Sequence, residues 1–298
     1  MNTESASPRY ADLDAWGSSD VLHALWESQL AAVAAIGPAL HAIAAAAEAA
    51  EAGLRQNGRL LYVGAGTSAR IGVQDGVELP PTFDWPEERI GFAIAGGDGA
   101  ILQAVEGAED SAAEASAWIE RAKIRPDDVV IGLSASGATP FTLAALESAR
   151  ARGAVTVGVA NNPNTPILQH CSYPILVATG EEVVAGSTRM KAGTAQKVVL
   201  NLLSTLVMIR LGRVYRGRMI SMRPTNKKLR SRGVAMVAQI AGCDEGAAAR
   251  ASAEAGGDIK LAILIAMGAG RSGAEELLDR HEGNLRAAIA AADLGARP

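Results

Sequence analysis

Five short apolar runs, each closing on a glycine or asparagine turn, punctuate the first two thirds of this chain: "RLLYVGAG" from Arg59, "IGFAIAGG" from Ile90, "DDVVIGLSASG" from Asp127, "AVTVGVANNP" from Ala154 and "YPILVATG" from Tyr173. Runs of this length, rich in Val, Ile and Leu and without polar alternation, read as strands buried on both faces. Helical patterns lie between them at Ser68–Leu79, Ala100–Lys123, Pro140–Arg152 and Pro166–His170. Strand and helix in alternation predict an α/β fold, a five-stranded parallel sheet sandwiched by helices. With 49% hydrophobic but only 4% aromatic residues, its core must be built from Ala, Val, Leu and Ile.

Three segments follow from the pattern: residues 1–57 as an N-terminal arm and helices, 58–222 as the α/β core, and 223–298 as a small all-helical, UBA-like domain. Ser18 to Asn57 has helical periodicity, with Ser18, Ser19 and Asp20 as N-caps. The Ala-rich stretch Ala31–Ala47 is broken by Pro38 and His41 and followed by Glu48, the pattern of a buried amphipathic helix and not of a membrane span. A net charge of −4 without a block of Lys or Arg argues against a nucleic-acid partner. Cys171 and Cys243 have no CxxC spacing, and His23, His41, His170 and His281 have no metal-ligand spacing. No metal and no cofactor is expected. "MNTESASPRY" does not have the form of a signal peptide, so a cytoplasmic protein without a membrane partner is expected.

Two of the strand ends carry chemistry. "VGAGTSARIG" turns a strand into a helix, where Gly64 and Gly66 admit close approach to free N–H groups at the helix start. Gly64, Gly66 and Ala69 also satisfy the dinucleotide fingerprint, but "GFAIAGG" does not end in the acid that ribose recognition needs. A ligand-free tight turn is the alternative. "LSASGATPF" is a second such turn, with Ser134, Ser136 and Thr139 around Gly137. Alone it is equally readable as an N-cap. Together, the two turns converge on the crevice at the C-terminal ends of parallel strands, and their hydroxyl and N–H donors suit a phosphate monoester without a metal. A phosphorylated sugar fits this donor set better than a nucleotide.

The turns resemble those of the sugar isomerase (SIS) family of phosphosugar-binding domains. That resemblance implies phosphate binding by Ser134, Ser136, Gly137 and Thr139, with Thr67 and Ser68 contributing from the first turn. "GEEVVAGSTRMKAGTAQK", Gly180 to Lys197, is similar to the signature shared by N-acetylmuramic acid 6-phosphate etherases and the glucokinase regulatory protein, departing at Glu181. "GAGTSARIGVQDGVELPPTF" and "AVEGAEDS" resemble the etherases as well, and the likeness spans roughly Thr3 to Leu294. Val77 and Leu79 stand where those enzymes usually carry Ser and Cys, and Ala6, Ser7 and Tyr10 also depart from their pattern. A homodimer with the site at its interface is implied by the resemblance alone.

"DGVELPP" places Glu78 between two apolar residues just before Pro80-Pro81, a pair that should end the preceding helix. Read from the residues, Glu78 is either a helix-end surface residue or a positioned acid, and Glu109 is either part of a solvated acidic face with Glu106 and Asp110 or a second one. The resemblance makes both catalytic, for elimination of a lactyl ether from a 6-phosphosugar followed by hydration. Flanking Val77 and Leu79 would desolvate Glu78 and favour it as the acid, leaving Glu109 as the base. Arg189 and Lys191 are cations for the phosphate or the lactyl carboxylate, or else parts of a structural loop. The other readings are a phosphosugar isomerase and a non-catalytic phosphosugar-sensing regulator on the same scaffold.

Overall fold

The computed structural model describes residues 3–222 and 226–292. The chain falls into two compact units, Met1–Val77 with Glu88–Val207, and Glu78–Glu87 with Met208–Pro298.

The first unit opens with α1 (Ser18–Ala34) and α2 (Leu40–Arg55), parted by a 3-10 turn at Gly37–Ala39. Pro38 lacks the N–H that a continuous helix requires, so the expected single stretch is two helices. Two stretches, Ser18–Arg55 and Lys191–Arg210, are apolar and long enough to cross a membrane by length and composition. The first contains this break, and its α2 half buries Ile43, Ala46, Ala47, Ala50 and Leu54. The second has 56% of its apolar window buried within the protein.

Strand β1 (Leu60–Gly64) leads into α3 (Gly66–Val77), followed by α4 (Leu79–Phe83), which belongs to the second unit. Pro80 and Pro81 sit in the first turn of α4, where a missing N–H costs nothing. The proline pair therefore starts a new helix as well as closing the old one. Next come β2 (Ile90–Ile94), α5 (Ala112–Arg121), β3 (Val129–Ser134), α6 (Pro140–Ala151), β4 (Val155–Ala160), α7 (Pro166–His170), β5 (Tyr173–Leu176) and α8 (Lys191–Arg210). The five strands form one parallel sheet in the order β2-β1-β3-β4-β5. Every residue of β1 and β3 is buried, as their unbroken apolar runs require, and Pro174 is confined to the edge strand β5. Asp128, fully buried, accepts from the backbone and guanidinium of Arg59 and from the Arg125 N–H, tying the start of β3 to the start of β1. Burial pushes its carboxyl pKa up, but these bonds outweigh that and hold it below the ordinary carboxylate range.

The helix expected over Ala100–Lys123 is broken. Residues 98–101 and 108–110 form 3-10 turns, Gly107 takes φ +70°, and α5 starts only after Ser111, whose hydroxyl accepts the Glu114 N–H at 3.4 Å. Glu106, Glu109 and Asp110 thus ride on a loop and not on a helix face.

In the second unit, β6 (Val214–Tyr215) and β7 (Arg218–Met219) make a hairpin whose two turn residues, Arg216 and Gly217, both have positive φ, as a type I′ turn demands. Helices α9 (Lys227–Ala241), α10 (Glu245–Glu254), α11 (Ile259–Ala266), α12 (Arg271–Arg280) and α13 (Leu285–Ala291) follow. Asn226, Asp244, Asp258 and Asn284 cap four of these five helices through their side chains. Val237, Ile263, Leu264 and Leu285 lie at the centre of their shared core.

Candidate active site

Strand order reverses at β1: the chain passes from β1 to β2 on one side and returns to β3 on the other. Open parallel sheets bind ligands at the carboxyl ends of strands at such a switch point. Gly64 pairs in register with Leu133, so the turns that follow β1 and β3 are neighbours. A cavity of about 490 Å³ lies there, within the first unit.

At the first turn, a Cβ on Gly64 would lie 2.9 Å from the Ala69 nitrogen, so only glycine lets the helix start this close to the strand. The first N–H groups of α3 have no partner in the helix and face this end of the sheet. Thr67 and Ser68 line the cavity. The Ser68 hydroxyl donates inward to Gln196 Oε1 at 2.9 Å, and Gln196 Nε2 donates to Asn161 Oδ1 at 3.0 Å.

At the second turn, Ser134 Oγ accepts the Gly137 N–H at 2.9 Å and lies 2.8 Å from Thr139 Oγ1 and 3.2 Å from Ser136 Oγ. Thr139 occupies the N-cap position of α6, yet its side chain makes no capping bond. That hydroxyl therefore points to its serine neighbour, which separates this turn from an ordinary serine-rich N-cap. Gly137 has φ +72°, and a Cβ there would meet Thr165 Oγ1 at 2.3 Å.

Three more segments complete the cavity wall. The 3-10 turn after Gly107 brings Glu109 and Asp110, both exposed, beside Ser134, Ser136 and Thr139. The signature loop contributes Gly186 and Thr188. The N-terminal arm contributes Glu4, which site reasoning from the sequence did not place there. Thr3, fully buried, donates its N–H to Asn162 Oδ1 at 3.0 Å, and Asn162 Nδ2 donates to Thr3 Oγ1 at 2.9 Å and to the Ala135 carbonyl at 3.3 Å. One asparagine thus ties the arm to the second turn. The only signal for this in the sequence is the asparagine pair that closes β4.

Other expected site residues lie elsewhere. Arg189 is exposed and not part of this cavity wall. Lys191 Nζ donates to the Glu181 carbonyl at 2.8 Å. Buried Glu182 accepts the Lys191 and Ala192 N–H groups at 2.9 and 3.0 Å, a carboxylate cap on α8. Glu78 stands at the N-cap of α4 in the second unit, exposed, with Val77 50% exposed and Leu79 2%. The apolar envelope expected on both sides of its carboxylate is therefore not formed: the Val77 side chain leaves that flank open.

The family pattern for the glucokinase regulatory protein N-terminal SIS domain matches residues 41–150, and that for the SIS domain matches residues 110–208. An N-acetylmuramic acid 6-phosphate etherase of Deinococcus radiodurans is 47% identical over 285 residues, covering 95% of this chain and 93% of its own. One of Halalkalibacterium halodurans is 42% identical, covering 97% of each chain. Among solved structures, a Bacteroides fragilis phosphosugar-isomerase candidate involved in capsule formation superposes with a TM-score of 0.50 at 20% identity, over 67% of this chain and 95% of its own. At that identity the likeness speaks for the fold, the SIS-type sheet.

Proposed function

The chain belongs to the N-acetylmuramic acid 6-phosphate etherase family, and from that membership we propose how it acts on its substrate. It is a carbon–oxygen lyase that cleaves the lactyl ether of N-acetylmuramic acid 6-phosphate to N-acetylglucosamine 6-phosphate and D-lactate, a step in amino-sugar recycling. The observation that supports a cleavage site in the first unit is the cavity itself, where a hydroxyl-rich turn at a sheet switch point faces the carboxylate of Glu109.

In this reading the 6-phosphate lies on the hydroxyls of Ser134, Ser136 and Thr139 and on the N–H groups of the two turns, with Thr67 and Ser68 at its flank. The sugar reacts in its open form, where the C1 aldehyde acidifies the C2 proton. Glu109 takes that proton. The electron pair forms the C2–C3 double bond and the C3–O bond breaks; the resemblance assigns protonation of the departing lactyl oxygen to Glu78, which is not part of this cavity wall. Water then adds at C3 and a proton returns to C2, so the net change is hydrolysis. Acid and base must hold opposite protonation states at once, which needs two carboxylates in different surroundings. The resemblance assigns neutralisation of substrate charge to Arg189 and Lys191, although neither lines this cavity.

The assembly in this reading is a cytoplasmic homodimer with the site at its interface. Its support is an apolar stripe on α1, where Leu22, Trp26, Leu30 and Val33 recur at helical spacing and are 46–65% exposed. The activity is tested by incubating the protein with N-acetylmuramic acid 6-phosphate and assaying free D-lactate. Release is expected; binding of the phosphosugar without lactate would favour a sensor.

A further inference from the structure

The wall of the phosphosugar cavity holds no Lys, Arg or His among the described residues, although the substrate brings both a phosphate and a lactyl carboxylate. An adjoining lobe of about 380 Å³ opens on the β2 side of β1, also within the first unit. Ala65, Gly66, Thr67 and Glu109 line both, so the two are parts of one site.

Among the described residues lining either part there is one cation, Arg70 of α3, in the adjoining lobe. It is half-buried. Its Nε donates to the Ile101 carbonyl and its Nη2 to the Ala100 carbonyl, both at 2.9 Å, which braces the guanidinium on the 3-10 turn that follows β2. A guanidinium has five N–H donors, so three remain. Glu106 and Glu109 share the lobe, but both are exposed and neither is ion-paired with Arg70. Carbonyls satisfy hydrogen bonds without supplying a counter-charge. A braced cation without a carboxylate partner, its planar fork intact, suits a carboxylate ligand.

The order of groups across the site also fits. Ser134, Ser136 and Thr139 line the first part, Arg70 lines the second, and Glu109 lines both. In the etherase reading the substrate runs the same way: phosphate on C6, then C2 and C3 beside the base, then the lactyl group on C3. Buried Ala95 and Ala100, with Val105 49% exposed, give the lobe an apolar wall for the lactyl methyl.

We propose that Arg70 binds the lactyl carboxylate, and so selects lactyl-bearing phosphosugars and holds the leaving group. The identity of the ligand rests on the etherase reading; the choice of Arg70 rests on the two lobes.

The test uses sugars with C1 reduced to an alcohol. These are open-chain, and without the aldehyde C2 is not acidified, so they bind without reacting. Calorimetry compares reduced N-acetylmuramic acid 6-phosphate, its lactyl carboxamide, and reduced N-acetylglucosamine 6-phosphate, which has no lactyl group. The wild-type protein should bind the carboxylate at least about tenfold better than the carboxamide, a difference of roughly 1.4 kcal/mol. Arg70→Gln, which keeps a donor for the turn carbonyls, should bind those two alike and leave the glucosamine ligand unchanged. Arg70→Lys, which keeps the charge, should retain part of the preference; thermal melts check that each variant is folded. A wild-type protein indifferent to the carboxamide, a folded Arg70→Gln that keeps the full preference, or equal losses for the lactyl and lactyl-free sugars would each overturn the proposal. The first of these needs no variant. Lactate release from the unreduced substrate is assayed on the wild type in parallel: release without a carboxylate preference sinks the role of Arg70 alone, and a preference without release sinks the etherase reading alone.

Discussion

Two cavities of this protein, one in each unit, are built on different electrostatic terms. The one in the α/β unit is lined by neutral donors, the hydroxyls of Ser134, Ser136 and Thr139, and carries carboxylates in its wall. The one in the helical unit brings the cations Arg213 and Lys260 together with the half-buried Asp84 carboxylate, and exposed Asp258, Glu275, Asp279 and Glu282 also line it. Neutral hydroxyls can satisfy one another while they wait: Ser134 bonds to both of its neighbours in the empty turn. A half-buried lysine cannot do so, and its amine pKa falls instead. A site of the first kind is stable empty and gains specificity from geometry. A site of the second kind carries a standing desolvation cost at its lysine.

The largest expected effect tests the two proposed catalytic carboxylates, Glu109 in the wall of the first cavity and Glu78 outside it. Glu109→Gln should lower ether cleavage by about 10²–10⁴, the range of general acid–base catalysis. It should also stop exchange of the C2 proton of N-acetylglucosamine 6-phosphate with deuterated solvent. Glu78→Gln should lose cleavage to a similar degree yet keep exchange, because the C2 step uses the other carboxylate. An NMR exchange assay on both variants, with phosphosugar binding measured in parallel, reads this directly. The opposite pattern reverses the two roles, and near wild-type cleavage by both removes them.

A smaller effect tests the neutral donors. Ser136→Ala and Thr139→Val should each weaken the 6-phosphorylated sugar by about 1–3 kcal/mol, the loss of a hydrogen bond to a charged group. Binding of the unphosphorylated sugar should stay as poor as before. Equal losses for both sugars would mean that these hydroxyls do not hold phosphate.

The smallest effect tests the standing cost in the second cavity. Lys260 is protonated in both folded and unfolded chains below about 8, and the penalty for burying its charge is then present in full. Between that value and about 10.4, the ordinary lysine value, the unfolded chain binds more protons than the folded one, so stability should rise with pH. Lys260→Met should lack this rise. Denaturant melts of both proteins across that window measure the difference, and parallel curves would show that the lysine is not desolvated.

Much of this was legible in the residues. The five apolar runs lie in the five parallel strands, and the turns "VGAGTSA" and "LSASGAT" stand side by side because Gly64 and Leu133 share a register. The helix expected over Ala100–Lys123 failed because Gly107 and Ser111 interrupt it, and composition hid them among good helix formers. The β6–β7 hairpin went unread although Arg216-Gly217 is a turn dipeptide, since two-residue strands leave no periodicity to find. The envelope expected around Glu78 rested on its neighbours in sequence, and exposure of Val77 is not a local property.

Sequence by itself determined what depends on near neighbours along the chain: the strands, the glycine turns and the hydroxyl spacing of the second turn, though not the start of α1, where Gly17 and not Ser18, Ser19 or Asp20 is the N-cap. These follow from backbone sterics and local hydrogen bonds, which one stretch of residues settles alone. Tertiary structure decided which distant groups meet. It set Glu4 in the wall beside Ser134, through a bond between Thr3 and Asn162 that spans most of the first unit, and brought Glu109 there on the turn after Gly107. It turned the Ser68 hydroxyl toward Gln196 and joined the Lys191 ammonium to a backbone carbonyl. It also put Lys260 beside Arg213, two ordinary cations in the sequence whose burial and proximity exist only once the helices have packed.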